Sequence, residues 1–477
     1  MEYRVPDNID PNKIFLVNYS DLEGRWDPVF TLYNKHVKNE FEFPLVQLKD
    51  VLIKSPQYGT AECGIERKAE TEPRYIRITD IDELGNLIDG LGATAENLEE
   101  QYILNDGDIL FARSGATVGK AYLHKNQPYV CFFAGYMIRF VVDNTKILPQ
   151  YLFIYTQLKP YKDWVRAIQR AAAQPNINAE EYKSLPISLP PLHIQQQIVD
   201  VYNAALSLRK KKLSVSKAKL ASIDQYLLDE LGITLPKDSH EKTFIVNYKD
   251  VDGGRLDPYS HKPYFSSAFE NIKRKYDLFS IKQISLLITS GITPLSGSDA
   301  YTNRKEGVAF VRSGDIDING NIDFDNLLYI KHNIHNTTMK ASQVQKNDIM
   351  IAIVGATIGR IGIYYSNEPA NINQAIALVR LKENFLPDYI KEVLQSSIGQ
   401  LNLDKMKRPV ARANINLDEI GQIILPIPPI NKQQEIADHI SAIRAEAKRL
   451  EQEGEEILQS ARLQVEQIIL VEKDIEG

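Results

Sequence analysis

The sequence predicts an α+β protein in which two copies of one α/β globular unit are separated by two long antiparallel coiled-coil helices, with pseudo two-fold symmetry. Three observations predict it: four sequence blocks recur in the same order, each copy carries short β-rich runs between turn signals, and each copy closes on a proline pair followed by a proline-free heptad pattern.

The first block is FLVNYSDLEGRWDP from Phe15, repeated as FIVNYKDVDGGRLDP from Phe244. YIRITDIDELGN from Tyr75 then matches FVRSGDIDINGN from Phe310, so Arg77 falls on Arg312 and Asp80 on Asp315. GDILFARSGATVGK, ending at Lys120, matches NDIMIAIVGATIGR, ending at Arg360. Last, PNINAEEYKSLPISLPPLHIQQQI matches ANINLDEIGQIILPIPPINKQQEI, with Asn176 on Asn414 and Pro190 on Pro428. The register drifts by a few residues between blocks, as loop insertions on a surface permit.

Within the first copy the runs YIRIT, DILFA, KAYLH and FFAGYMIRFVV read as strands, punctuated by Gly, Asn and Asp. After LPPL and IPPI the pattern becomes helical, because a proline pair stops the strand and is compatible with a helix start. Leu206, Leu213, Leu220 and Leu227 recur every seven residues, as do Ile436, Ile443, Leu450 and Ile457. A second heptad position holds Ile440, Ala447, Gly454, Ala461 and Ile468. These eight Leu and Ile positions are the predicted helix interface; the plainer alternative is one amphipathic helix lying on its own domain. Gly454 would either break the helix or let two backbones approach. The predicted organisation is residues 1–190 for the first globular unit, 191–235 for the first helix, 236–428 for the second unit and 429–477 for the second helix. A helix from about Gln195 to Leu231 is about 55 Å long. Domain termini tend to lie close together, so an antiparallel helix pair is the simpler connection.

Composition bounds the function. With 43% hydrophobic and 25% charged residues in 477, the chain is ordinary for a soluble protein of two or three domains. No apolar run is long enough to span a bilayer, and MEYRVPDNIDP does not read as a signal peptide, so the expected location is the cytoplasm. Cys63 and Cys131, the only cysteines, are too few for a disulfide framework or a thiolate metal site, and a reduced, structural state is expected of both. The net charge of −6 weighs against nucleic-acid binding, yet a basic face on an acidic protein remains compatible with it.

Two variable units, each ending in a Leu-Pro-x-Pro-Pro-type stretch, Gln and a long helix, resemble the specificity subunit of type I restriction-modification systems. The residues that carry the resemblance are LPISLPPLHIQQQI from Leu185, LPIPPINKQQEI from Leu425, the PNIN and ANIN blocks, and both GAT(V/I)G(K/R) hairpins. The sequence departs from the pattern at Ile194 and Lys432, which stand where Glu commonly precedes the Gln. The resemblance implies a non-catalytic subunit in which each target-recognition unit reads one half of a bipartite target in double-stranded DNA. It also implies that the helices set the spacing and hold two DNA adenine methyltransferase (modification) subunits, to which restriction/translocase subunits are added, and that the chain binds no cofactor.

Independent of the resemblance, no catalytic constellation is legible. RWDPVF and RLDPYS have one Pro each and lack the Asn/Asp-Pro-Pro-aromatic loop of an adenine methyltransferase. GATVGK is one residue short of a phosphate-binding loop, has no Ser or Thr after Lys120, and lies between apparent strands. Asp50, Glu66 and Lys68 have no counterpart in the second copy. His332 and His335 lack partners, so a loop role is expected and no metal site.

Candidates for DNA contact divide by duplication. Arg77, Arg312, Lys120 and Arg360 are paired and suit shared phosphate contacts. Arg113 and Ser114, replaced by Ile353 and Val354, are unpaired and suit base choice, as does the basic stretch Lys405, Lys407, Arg408 and Arg412. Arg209, Lys210, Lys211, Lys212, Lys217 and Lys219 on the first helix oppose an acid-rich second helix bearing Glu451, Glu453, Glu455 and Glu456. Either interhelix pairing or a basic face toward DNA accounts for them. Competing readings of the chain are the recognition subunit of a related two-part restriction-methylation enzyme and a duplicated scaffold that binds only proteins.

Overall fold

The computed structural model describes residues 10, 14–17, 27–37, 41–169, 175–235, 243–248, 257–265, 267, 275–407 and 413–471. The chain divides into two compact units, one of residues 1–213 with 451–477, the other of residues 214–450.

The first unit begins with α1 (Pro28–Val37), and the repeated Asp-Pro dipeptide explains where it starts. Asp27 Oδ1 accepts from the backbone N–H groups of Val29 and Phe30, while Pro28 occupies a first-turn position that needs no donor. In the second unit Asp257 caps the turn at Pro258–His261 in the same way, accepting from Ser260 N–H at 3.1 Å. Most of the remainder of the block lies outside the described residues.

Ten strands follow among the described residues: β1 (Leu45–Gln47), β2 (Gln57–Tyr58), β3 (Ile65–Glu66), β4 (Arg74–Ile76), β5 (Ala93–Thr94), β6 (Ile109–Ala112), β7 (Ala121–Leu123), β8 (Cys131–Phe133), β9 (Met137–Phe140) and β10 (Pro186–Ser188). They form a β1-β10 pair, an antiparallel sheet β2-β9-β6-β7 and a sheet β3-β5-β4-β8 in which β4 and β8 are parallel. Alternation along β6 explains why ILFA reads as a continuous apolar run. Ile109 and Phe111 face a core built with α2 (Pro149–Tyr155), α3 (Lys159–Ile168) and α4 (Ala179–Lys183). Leu110 faces the other way, into a core shared with Ile76 and Phe133 of the second sheet. A strand covered on both faces has no polar side.

The second unit repeats this plan with β11 (Leu278–Ser280), β12 (Ser285–Ser290), β13 (Tyr301–Thr302), β14 (Gly307–Val311), β15 (Leu328–Lys331), β16 (Gln343–Val344), β17 (Ile349–Ala352), β18 (Ile361–Ile363), β19 (Ala370–Ile372), β20 (Ile376–Leu381) and β21 (Ile424–Pro426). The sheets are β11-β21, β12-β20-β17-β18 and β13-β15-β14-β19-β16, again with one parallel pair, β14 with β19. Ile349 and Ile351 face one core and Met350 the other, as in β6. The duplication is therefore one of topology as well as sequence, with β16 added to one sheet. His332 and His335, expected in a loop, sit on the one-turn helix His332–Asn336. There His335 Nδ1 lies 2.5 Å from Asn371 Oδ1, a contact that anchors the turn to β19.

The long helices are α5 (Leu192–Leu231) and, after α6 (Pro387–Gln395), α7 (Ser397–Met406) and α8 (Leu417–Gln422), α9 (Ile430–Ile469). In the first unit the early part of α5 packs antiparallel on the late part of α9: Arg209 donates to Glu455 at 2.5 Å and Lys212 to Glu453. In the second unit the late part of α5 packs on the early part of α9, with Tyr226 against His439 at 4.2 Å and Lys432 donating to Glu230 at 2.6 Å. Lys432, the departure noted at the helix start, thus ties the two helices together. Gly454 does not break α9; it is buried, and a Cβ there would meet Arg209 Cγ at 3.4 Å.

Of the eight predicted interface residues, Leu227, Ile436 and Leu450 are buried, and Leu206, Leu213, Leu220, Ile443 and Ile457 are half-buried. Toward the end of α9 the strict sevens fail. Leu458, Val465 and Ile469 are buried where the heptad names Ile457 and Ile468, because this stretch packs on the globular core, where the 3.6-residue period governs. Among the described residues no helix is long and apolar enough to cross a membrane. Cys131 is buried in β8, and Cys63 is exposed.

One buried group gives the first unit a pH response. His124 is 3% exposed, with Nδ1 3.0 Å from the Tyr122 hydroxyl, and burial lowers its pKa against the opposing pull of Asp108 and Asp106. The unfolded chain takes up this proton near pH 6.5 and the folded chain only at lower pH, so the stability due to neutral His124 is whole above about 6.5 and is lost below it. Urea midpoints at pH 7.5 and 5.5 should therefore differ less in His124→Gln than in the parent chain; equal differences would rule this out.

Candidate nucleic-acid interface

The paired basic residues hold the recurring turns. β4 ends at Ile76, and the next residue, Arg77, folds onto Asp80: its N–H, Nε and Nη2 all donate to that carboxylate at 2.9 Å. Arg312 does the same to Asp315 at 2.8, 3.1 and 2.7 Å. Both guanidinium groups stay half-exposed, and the hydrogen bond each donates to its Asp carboxylate holds the arginine pKa above its ordinary value. Lys120 Nζ donates to Ile81 O at 2.9 Å and Glu83 Oε1 at 3.0 Å, and Arg360 Nη1 donates to Ile316 O at 3.0 Å. Lys120 and Arg360 leave the Gly-rich hairpin, as expected, yet their head groups close it onto the turn that follows Arg77 or Arg312. The hairpin joins β6 to β7, an antiparallel pair, which is not the strand-to-helix setting of a phosphate-binding loop.

The NIN blocks brace the same region. Asn178 accepts from Glu181 N–H at 2.9 Å and its own N–H donates to Glu181 Oε2; Asn416 and Glu419 repeat this capping box. Two residues earlier, Asn176 bridges to Ser114, and Asn414 to Val354. The segment that follows each inner strand is thereby held by the same backbone contacts in both units.

The unpaired candidates differ in fate. Arg113 is half-exposed, with its guanidinium 5.0 Å above the Tyr58 ring. Ser114 is half-buried at its bridge to Asn176. Lys405, on α7, is half-buried, and burial lowers its pKa. Lys407 donates to Asp404 at 2.6 Å. Arg408 and Arg412 lie outside the described residues.

Two tyrosines that the sequence did not single out, Tyr58 and Tyr136, stand beside Arg113. Arg113 N–H donates to Tyr136 O at 2.9 Å, and Tyr136 is 62% exposed. Tyr75, beside Arg77, has its phenol pushed up to about 12 by burial and then by neighbouring Tyr136 and Cys63. Tyr58 and Tyr136 lie outside the four recurring blocks or at their variable positions, so a search by duplication passes over them. An arrangement of half-exposed Arg and exposed aromatic side chains on a sheet edge can donate to base edges and stack or pack on nucleotides. Among the described residues no group of His, Cys, Asp and Glu is placed to hold a metal ion.

A family model described as the type I restriction modification DNA specificity domain matches residues 42–214 and again residues 267–459. The chain is 26% identical over 310 residues to the EcoBI type I restriction enzyme specificity subunit of Escherichia coli, an alignment covering 63% of this chain and 60% of that one. It is 25% identical over 389 residues to a putative MjaX type I restriction enzyme specificity subunit of Methanocaldococcus jannaschii, covering 78% and 80%. The chain thus spans less than two thirds of the first relative's length. A solved chain from a study of complex assembly and conformational transition in the type I R-M system is similar in fold, with a TM-score of 0.52 at 14% identity over 89% of this chain and 96% of that one.

Proposed function

The chain belongs to the type I restriction modification DNA specificity domain family, and from that premise we propose that it is the DNA-recognition subunit of a restriction-modification complex. Each unit reads one half of a bipartite target in double-stranded DNA, and the long helices set the spacing and dock two adenine methyltransferase subunits, to which restriction/translocase subunits are added. The chain itself performs no chemistry, and the complex works in the cytoplasm. DNA contact by Arg77, Arg113, Ser114, Lys120, Arg312 and Arg360 belongs to this reading. Lys405, Lys407, Arg408 and Arg412 are proposed to serve the second unit in the same capacity.

The observation that carries the reading is the pairing of one backbone plan with different side chains: two units of the same sheet order, each with an Arg-Asp turn and a Gly hairpin, but with Arg113-Ser114 in one and Ile353-Val354 in the other. A duplicated fold with unlike faces suits a target whose halves differ. The test is to combine the full chain with its methylating partner and measure binding to a fragment library under competitor DNA, followed by mapping of methylated adenines. A two-part consensus is expected, and methyl transfer by the chain alone is not. Binding without sequence preference would instead make the chain a protein scaffold.

A further inference from the structure

Resting on that reading, we propose that Arg113, aimed by Tyr58, reads a guanine in the half-site addressed by the first unit, with Tyr58 as its positioning residue.

The other arginines between β3 and β9 commit their donors inside the unit. Arg67 donates to Glu72 O and Leu91 O, Arg74 to Ile88 O, Arg77 to Asp80, and Arg139 to Ile103 O, Gln101 O and Asp108. Arg113 is different: among the described residues its guanidinium makes no hydrogen bond and no ion pair, and its one side-chain partner is the face of Tyr58. A guanidinium stacked on a ring is held in orientation while all five of its N–H donors remain available.

Tyr58 is itself held. Its hydroxyl accepts from Ala179 N–H at 3.1 Å, at the first residue of α4, directly after the Asn178 cap. The ring is therefore fixed at one end by β2 and at the other by a capped helix, and Arg113 at its backbone by Tyr136 O and Ile177 N–H, at 2.9 and 2.8 Å. A reader pre-organised in this way loses little freedom on binding. The fork of an arginine matches the O6 and N7 acceptors of guanine in the major groove, and no other base offers that pair.

The second unit supplies an internal comparison. Ile353 N–H donates to Ala375 O at 2.9 Å and Ile415 N–H to Ile353 O at 3.0 Å, so the backbone at the Arg113 position is reproduced. Strand register puts Ser290 opposite Ala377 where Tyr58 is opposite Ile138, with Phe111 and Ile351 facing those same partners. Tyr58, Arg113 and Tyr136 thus become Ser290, Ile353 and Ala375. All three side chains change together on an unchanged frame, which is what a reading position requires and a packing position does not.

The test uses the full chain assembled with its methylating partner, and reads the consensus of methylated sites for the parent, Arg113→Ile, Arg113→Lys and Tyr58→Ser. The first and third substitutions install the residues that the second unit carries on the same backbone, and Arg113→Lys keeps the charge without the fork. Discrimination at one guanine of one half-site should fall about ten- to hundred-fold in each variant, with the other half-site untouched. A duplex with 7-deazaguanine at that position should weaken binding by the parent complex and leave Arg113→Ile unaffected. A consensus unchanged in Arg113→Ile overturns the proposal, as does a uniform loss over all sites with a shallower salt dependence, the signature of a phosphate contact. A parent complex without any sequence preference would overturn the recognition reading itself.

Discussion

Gln195→Leu should destabilise the folded chain by about 3 to 5 kcal/mol, read as a lower urea midpoint by circular dichroism. Gln195 is fully buried at the start of α5 and its amide satisfies three backbone groups that have no other partner among the described residues. Oε1 accepts from Leu148 N–H at 2.8 Å, and Nε2 donates to Lys146 O at 3.0 Å and Pro190 O at 2.8 Å. Each stranded backbone group costs about 1–3 kcal/mol, and leucine returns part of that through apolar burial. Gln433 repeats the device with Leu386 N–H at 3.1 Å and Pro428 O at 2.9 Å, so Gln433→Leu should cost somewhat less. Glutamate is not a substitute, because a carboxylate would face two carbonyl oxygens; Gln195→Glu should be worse than Gln195→Leu. A midpoint in Gln195→Leu that moves by less than the equivalent of about 1 kcal/mol would rule out this account of the Gln.

That device shows which parts of the fold could be read in advance. The proline pair and the Gln were legible as a recurring motif, but not the reason for the recurrence. The reason is a junction: the amide joins the helix start to the segment entering α2, or α6 in the second unit, residues far away in sequence. Local capping motifs were nearer the surface of the sequence, since Asn178 with Glu181 and Asp27 with Pro28 follow rules of spacing within one turn. On the helices, the heptad residues Leu227 and Ile436 are buried in the core of the second unit, whereas late in α9 Leu458, Val465 and Ile469 are buried in place of the heptad residues, against a globular core that sequence periodicity does not identify.

The candidate interface was legible in proportion to how much of it is recorded by duplication. Pairing Arg77 with Arg312 and Lys120 with Arg360 located the turns, and these shared residues bond within their own units, to Asp80, Asp315, Ile81 O and Ile316 O. Duplication keeps what both units need in order to fold. Arg113 was legible from the other direction, as a difference between copies. Tyr58 was not, because its pairing with Ser290 depends on strand register across an insertion, and a one-residue slip reverses which face a side chain takes.

The strand that carries Arg113 is also where a core substitution should cost most. Phe111→Ala is expected to destabilise the chain by about 3–5 kcal/mol. Phe111 is fully buried two residues before Arg113, with ring centroids 4.9 Å from Tyr182, 5.2 Å from Phe140 and 6.1 Å from Tyr161. Tyr182 in turn donates its hydroxyl to Ala112 O at 2.6 Å and Tyr161 to Gly119 O at 2.6 Å, so the cluster grips both ends of the β6-β7 hairpin. Removing the ring leaves a cavity bounded by three aromatic side chains, two of them tyrosines whose hydroxyls are already committed, and rigid neighbours collapse poorly into such a space. Ile351 holds the corresponding position in the second unit, and Ile351→Ala should cost less, about 2–4 kcal/mol, because a smaller side chain leaves a smaller void. Differential scanning calorimetry of the two variants gives the ranking. If Phe111→Ala proves the milder of the two, the aromatic cluster is not what holds the strand beneath Arg113, and the rigidity ascribed to that arginine would need another source.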